Sequence, residues 1–405
     1  MTDFRHQITR TNGLAVSLTV LGAAIFGSVI SVFVWAGGVL GVFRLIFEWR
    51  KVVIPAPVAI TGAVFALYFL AELFSAVIND RGVYGLIHAA GNIIFLSFIP
   101  LYIVLEQPRQ QIIDMLLKLA APFAAAALTF AMVQLYILDY RPQGGASNPG
   151  VFAMTTALIY GVNLINLKRN ATSMAIAGVI IAFVAVVLAG SRPIWPVLFL
   201  LPLVVFLFGT KINWPHLRRS ALIAGSVFAV VIVVALSGYV KDRIDRGLSD
   251  IERASDGDLA TSYGKRVSIW RVALSAIEEK PFFGHGPDTP IELMRERART
   301  VGGYHIYYNH FHNAALNEMV RAGIPGVIAM FAMFVVPFIY CWRSRNDQDG
   351  GDVGFLLLVA LQLTWLLSGT VGIMFNHDIL DALFTSVTAI SLYFCYSDTT
   401  SDSVV

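Results

Sequence analysis

Residues 304–326 read YHIYYNHFHNAALNEMVRAGIPG and place His310, His312, Asn309 and Asn313 within five positions. Three chemistries fit such a cluster: a metal site, a catalytic base, or a wet polar patch. On a helix, residues two apart point to nearly opposite sides, so His310 and His312 share a metal only on a strand or loop. The chain from Asn313 to Gly323 reads as helical, which argues against a shared site. His285, His305 and His377 add no recurring ligand spacing, and no metal site is expected. A single histidine, with an ordinary pKa of about 6.5, suits proton transfer from a hydroxyl near neutral pH. The bland alternative is interfacial polarity, with Asn309, Asn313 and Asn317 recurring every four residues along one helix face.

Two arginines ask for the same scrutiny. Arg192 stands in LAGSRPIWPVL, between a glycine that ends one apolar run and a proline suited to the first turn of the next. A helix N-terminus carries partial positive charge and free N–H donors, so an arginine there makes an anion site. Snorkelling to lipid headgroups is the alternative. Arg266, in YGKRVSIWRVALSAIEEKP, lies four residues before Trp270 on a helical stripe with Val267, Leu274 and Ile277. An arginine packed on an apolar stripe needs an anion or a carboxylate; Asp256 and Asp258 are the nearby acids. Arg271, Ser275 and Glu278 fall on the opposite, solvated face. Guanidinium forks match phosphate oxygens, so Arg192 and Arg266 could clamp a diphosphate, though their spacing in the sequence does not bring them together. Arg81, in INDRGVYG, is a third phosphate contact or simple surface.

These residues are carried by a chain built for a bilayer. Its 405 residues are 57% hydrophobic and 14% charged, with a mean hydropathy of +0.71. Soluble domains hold roughly a quarter charged residues. The net charge of +3 gives no reason to expect nucleic acid. The first apolar run is far longer than a signal-peptide core of roughly 7–15 residues, so it reads as a membrane anchor. Cys341 and Cys395 support neither a disulfide framework nor a thiolate metal site.

A span needs about 20 apolar residues, which yields about twelve: 13–28, 30–48, 55–76, 85–105, 115–137, 150–166, 172–189, 193–209, 219–239, 322–342, 353–373 and 378–396. Gly37 and Gly38 mark the main break in the first long run. Arg5, Arg10, Arg50, Lys51, Arg109, Lys168, Arg169, Lys211, Arg218, Arg219, Arg343 and Arg345 all fall at ends that share one side. The positive-inside rule makes that side cytoplasmic, with both termini. The chain divides into an N-terminal bundle (1–239), one long outer loop (240–321) and a C-terminal bundle with a cytoplasmic tail (322–405). In the loop, Val240, Ile244, Leu248 and Ile251 repeat at helical spacing, as an amphipathic surface helix does. Few charged residues are visible deep in the spans. His88 is the clearest polar exception and reads as a satisfied contact.

Residues 266–326 resemble the shared domain of the O-antigen ligase and O-antigen polymerase superfamily. The resemblance rests on Arg266 and Trp270; on Pro281, Gly284 and Gly286; on His312 and Asn313; on Glu318; and on Gly323 and Gly326, in that order. It implies an all-α, polytopic membrane-embedded glycosyltransferase (GT-C-like) with one long periplasmic loop, working in the bacterial inner membrane without metal, nucleotide or other cofactor. It further implies a glycan donor on undecaprenyl diphosphate, gripped by Arg192 and Arg266, and an inverting attack with His312 as base. Asn313, Glu318 and Arg81 would support the site. The acceptor would be a lipid A-core sugar in a ligase and a second lipid-linked repeat unit in a polymerase. A protein O-oligosaccharyltransferase would use the same donor. A lipid-linked glycan transporter is the rival from another class.

Overall fold

The computed structural model describes residues 2–105, 108–208, 237–238, 240–304, 308–347, 349–372 and 374–397. Among these residues every regular element is helical. The bundle is built from α1 (Thr2–Leu21), α2 (Ala23–Phe26), α3 (Val29–Phe47), α4 (Ala56–Ile78), α5 (Gly82–Ala90), α6 (Phe98–Ile103), α7 (Arg109–Met132), α8 (Pro149–Asn170), α9 (Ser173–Ala189) and α10 (Trp195–Phe208). After the extramembrane segment come α14 (Ala314–Ser344), α15 (Gly351–Gly369) and α16 (Asp378–Tyr396). Eight helical stretches are long and apolar enough to cross a membrane, and Asn12–Leu21, Ser173–Ala189 and Arg192–Phe208 are shorter apolar helices. In hydrocarbon a backbone must satisfy its own polar groups, which is why such runs become helices. The chain is an all-α polytopic membrane protein. Eleven of the expected spans coincide with helices; the one expected at 219–239 lies, but for 237–238, outside the described residues.

Two expectations need correction. The first apolar run breaks at Gly27 (φ 55°, ψ −132°), not at Gly37 and Gly38. Those two sit inside α3, where a methyl on Gly38 would stand 2.9 Å from Ser97 Cβ and one on Gly37 3.0 Å from Leu101. Their smallness serves close helix contact rather than a turn. The spans also hold buried charge: Glu72 in α4 is 0% exposed and Asp381 in α16 is 3% exposed. Lone acids inside apolar runs are rare and mark a site or a pairing.

The charge bias marks one end of the bundle. Arg44 donates to Ile103 O, Arg109 to Phe394 O, and Arg169 reaches Gln110 and Asp349. The extramembrane segment sits at the other end. There a helix over 240–255 (α11) precedes α12 (Ser262–Glu279) and α13 (Thr289–Arg297). On the α11 stripe Ile244, Leu248 and Ile251 are exposed, while Val240 packs partly against the main core. A separate small core joins Ile269, Val272, Ala273, Ala276, Leu293, Met294, Phe311 and Val320. The inward face of α12 is therefore turned by about one residue from the expected stripe, and Leu274 is exposed.

This unit is hooked to the bundle by backbone. Ile324 N donates to Pro281 O (3.1 Å), His285 N to Val320 O (2.7 Å) and Gly286 N to Arg321 O (3.1 Å). The receiving helix, α14, starts at Ala314, well before the expected 322, and kinks at Gly323 (φ 66°, ψ −156°). That conformation suits only glycine. A methyl there would meet Phe282 O at 2.4 Å, and one on Gly284 would meet Arg321 C at 2.7 Å. The two glycine motifs are thus the two halves of one seam.

Candidate active site

The histidine stretch is not helical. Residues 308–313 form bends ahead of α14, and Asn313 caps that helix by accepting from Leu316 N (3.0 Å). Its amide donates to Thr370 O (3.1 Å), tying the cap to the end of α15. Phe311 is wholly buried in the small core, and its carbonyl accepts from Trp270 Nε1 (2.9 Å). Anchoring Phe311 leaves its two neighbours on the other side. His312 adopts a left-handed backbone (φ 49°), uncommon for a residue with a side chain. Its ring consequently folds back on His310, with centroids 4.1 Å apart and His310 Nε2 3.2 Å from His312 Nδ1. The expectation that the two histidines point apart fails because it assumed a helix. The Asn309–Asn313–Asn317 face fails for the same reason. Asn317 instead accepts from Phe311 N (3.3 Å).

Both imidazoles are held neutral. Burial, then the Arg266 guanidinium, pushes the His312 pKa down to about 4. Burial, then the neighbouring His312 and His377, pushes His310 down to about 3. A neutral ring keeps one lone pair, which a base requires. Tyr308 meets His312 edge-on at 4.6 Å.

The arginines gather beside this pair. Arg192 donates to Arg243 O (3.1 Å), while Arg243 donates to Gly190 O (2.7 Å). The α9–α10 turn and α11 are thereby clasped together. Gly247 makes room for this, since a methyl there would stand 2.1 Å from Arg192 Nη1. Arg266 is half-buried. Burial, and next the charge of Arg192, hold its guanidinium below its usual pKa. Among the described residues neither Arg192 nor Arg266 forms an ion pair. Asp258, a candidate partner for Arg266, pairs with Arg253. The Nε of Arg243 is also buried with no partner among the described residues. Asp250 is the acid near Arg192 and Arg266, yet it forms no ion pair with either among the described residues, and guanidiniums crowded in this way favour an anion.

On the far side of the histidines lies a cavity of about 500 Å³, and His310 forms part of its wall. Asn92, Asn317, Asn376, Asp378 and Asp381 contribute polar atoms to it. Among the described residues neither side-chain atom of Asn92 has a partner, nor does Asp381 Oδ1. Its one arginine is engaged: Arg321 grips Glu72 through two hydrogen bonds (2.8 and 3.0 Å) and donates to Asn376 Oδ1 (2.7 Å). His88, also on the wall, contacts Tyr84 O (2.9 Å).

The sequence-derived candidates therefore separate. Arg192, Arg266 and His312 are electrostatic neighbours in series. Asn313 is a helix cap. Glu318 is buried, accepts from Tyr68 (3.0 Å), and fits only because residue 326 is glycine, where a methyl would stand 2.5 Å from its Oε1. Arg81 pairs with Asp288 (2.9 Å) and Glu292 (2.6 Å), so its fork is occupied by protein acids. Missed in the sequence were Glu72, Arg321, Asp381 and Arg243. A lone glutamate in LYFLAELFSAVI was a readable signal; the Arg243 contact was not. No three His, Cys, Asp or Glu side chains are grouped to hold a metal among the described residues.

Comparison with known proteins falls on the same region. A family described as O-antigen ligase matches residues 177–331, the stretch that contains Arg192, Arg243, Arg266 and His312. An uncharacterized protein of Haemophilus influenzae is 24% identical over 300 residues, 70% of this chain and 73% of the relative. The O-antigen ligase of Pseudomonas aeruginosa is 27% identical over 155 residues, 38% of this chain and 30% of the relative. The general O-oligosaccharyltransferase of Acinetobacter baylyi is 27% identical over 190 residues, 44% of this chain and 30% of the relative. The chain thus spans about a third of those last two proteins. Over residues 177–331 the chain is similar to the O-antigen ligase family.

Proposed function

We propose that the chain is a membrane glycosyltransferase that moves a glycan from undecaprenyl diphosphate to a sugar hydroxyl of lipid A core. The carrying observation is the sequence of groups across the site: arginines with no ion pair among the described residues, then a neutral histidine pair, then a polar cavity. Arg192 and Arg266, with Arg243 beside them, would hold the donor diphosphate and offset the charge that grows on it as the sugar departs. His312 would remove the acceptor proton as the new C–O bond forms on the opposite face of the anomeric carbon, inverting it. The electron pair of the breaking bond goes to the diphosphate. The cavity, whose acids repel a phosphate and whose amides suit hydroxyls, would seat the acceptor sugar. No step in this scheme calls for a metal or other cofactor. The site would face the periplasm, with both termini in the cytoplasm.

His312→Ala should abolish transfer while the protein accumulates normally in the membrane. Long glycan still reaching lipid A core in that variant would overturn the role of His312. A second reading, protein O-oligosaccharyltransferase, draws support from the Acinetobacter baylyi relative. It predicts glycan on protein, with lipid A core unchanged in a deletion strain. A polymerase predicts that deletion leaves a single repeat unit on the core, and a transporter predicts movement with no new bond.

A further inference from the structure

His310 has no part in that scheme, yet its ring touches the ring that does the work. We propose that His310 is a positioning residue that locks His312 in the tautomer carrying its proton on Nδ1, so that the lone pair stays on Nε2. This rests on the reading of His312 as the base.

The inference starts from three atoms in a row. Asn309 Oδ1 lies 2.5 Å from His310 Nδ1. An amide oxygen only accepts, so the proton of the neutral His310 ring sits on Nδ1. His310 Nε2 is then an acceptor, and it faces His312 Nδ1 at 3.2 Å. Two bare lone pairs cannot share that contact, so His312 Nδ1 carries the hydrogen. The remaining ring nitrogen, His312 Nε2, has no hydrogen-bond partner among the described residues. Which nitrogen of a histidine acts is set by the hydrogen bond the other one makes.

The surroundings favour the same order. Around His310 the facing polar and charged groups are Asn309, His312 and His377. Around His312 they are His310, Arg266 and Tyr308. No carboxylate forms an ion pair with either ring among the described residues, so a neutral acceptor holds the place that an aspartate takes in hydrolase triads. The pair is fixed from below by Phe311 in the small core and from the side by the left-handed turn at His312. In the reaction the acceptor O–H proton goes to His312 Nε2. The resulting imidazolium keeps its Nδ1–H on His310 Nε2, which spreads the charge. The proton leaves to solvent once the glycosylated acceptor has gone.

The first measurement needs no substrate. Full-length protein in nanodiscs, with ¹³C,¹⁵N-labelled histidine, reports ring tautomers by NMR at neutral pH, and His312→Gln assigns the His312 signals. The expected spectrum shows His312 as the Nδ1–H form, and His310→Ala shifts it towards the Nε2–H form common in water. His310→Gln, whose side-chain oxygen can accept at the same place, should restore the Nδ1–H form. Glycan transfer in a complemented deletion strain should fall roughly tenfold or more in His310→Ala, a part of the roughly 10²–10⁴-fold that a positioned general base contributes, and recover in part in His310→Gln. A wild-type His312 in the Nε2–H form overturns the proposal, as does a tautomer indifferent to His310→Ala. A locked Nδ1–H form together with active His312→Ala would sink the role of His312 as base instead, leaving the hydrogen-bond chain intact.

Discussion

Two arginine groups at the same end of the bundle behave in opposite ways. Arg321 and Arg81 are matched to acids: Arg321 to buried Glu72 (2.8 Å), and Arg81 to Asp288 and Glu292. Arg192, Arg243 and Arg266 crowd together, and among the described residues no acid forms an ion pair with any of them. The matched arginines join elements distant in the chain, α4 to α14 and α5 to α13. The unmatched ones concentrate positive charge beside a neutral histidine. Residue type is the same in both groups, so the distinction lies in what the protein supplies opposite each guanidinium.

The comparison breaks most decisively at the matched pair. Glu72→Ala or Arg321→Ala should cost roughly 3–5 kcal/mol, because the surviving partner is left as an uncompensated buried charge. Thermal unfolding in detergent and steady-state membrane levels would register it; a variant that accumulates and melts like wild type would remove the structural role.

Arg266→Ala should do the reverse, leaving the melting temperature within about 2 °C while transfer falls roughly 10²–10³-fold, the effect of losing one charge-stabilising donor. Arg266→Lys should recover little, since an ammonium lacks the planar fork. Equal loss of stability and activity in Arg266→Ala would place it with the matched group.

A smaller and purely electrostatic effect concerns His312. Its pKa of about 4 reflects burial first and Arg266 second. Removing that positive neighbour makes protonation easier, so Arg266→Gln should raise the pKa part of the way towards 6.5 in an NMR titration. A fall or no change would show that the two groups do not interact. The least effect belongs to Arg81→Ala. A partly exposed ion pair contributes about 1 kcal/mol or less, and transfer should stay near wild type. Strong loss of transfer without loss of stability would return Arg81 to the phosphate site.

The fold was largely legible because bilayer spans announce themselves by length and apolarity. Eleven of the expected segments are helices in the structure. The break at Gly27 was hidden because Gly37 and Gly38 are equally glycine, and only the neighbouring helix shows which ones turn. Among site residues, the sequence pointed to Arg192, Arg266 and His312 as single positions. It misjudged His310, whose geometry depends on Phe311 being pulled into the small core. It could not reach Arg243 or the Arg321–Glu72 pair. Those contacts join residues 53 and 249 positions apart, and local periodicity carries no information over that range.

The seam between residues 281–286 and the kink of α14 has a consequence for how such a site can change over time. Its three fastenings are backbone to backbone, so they do not read the side chains at 282, 283 or 285. The exposed Phe282 and Phe283 can therefore drift while the frame that presents His312 keeps its shape; buried His285, whose ring contacts Ala276 O (2.8 Å), cannot. What the frame does not tolerate is a single added carbon at 284 or 323.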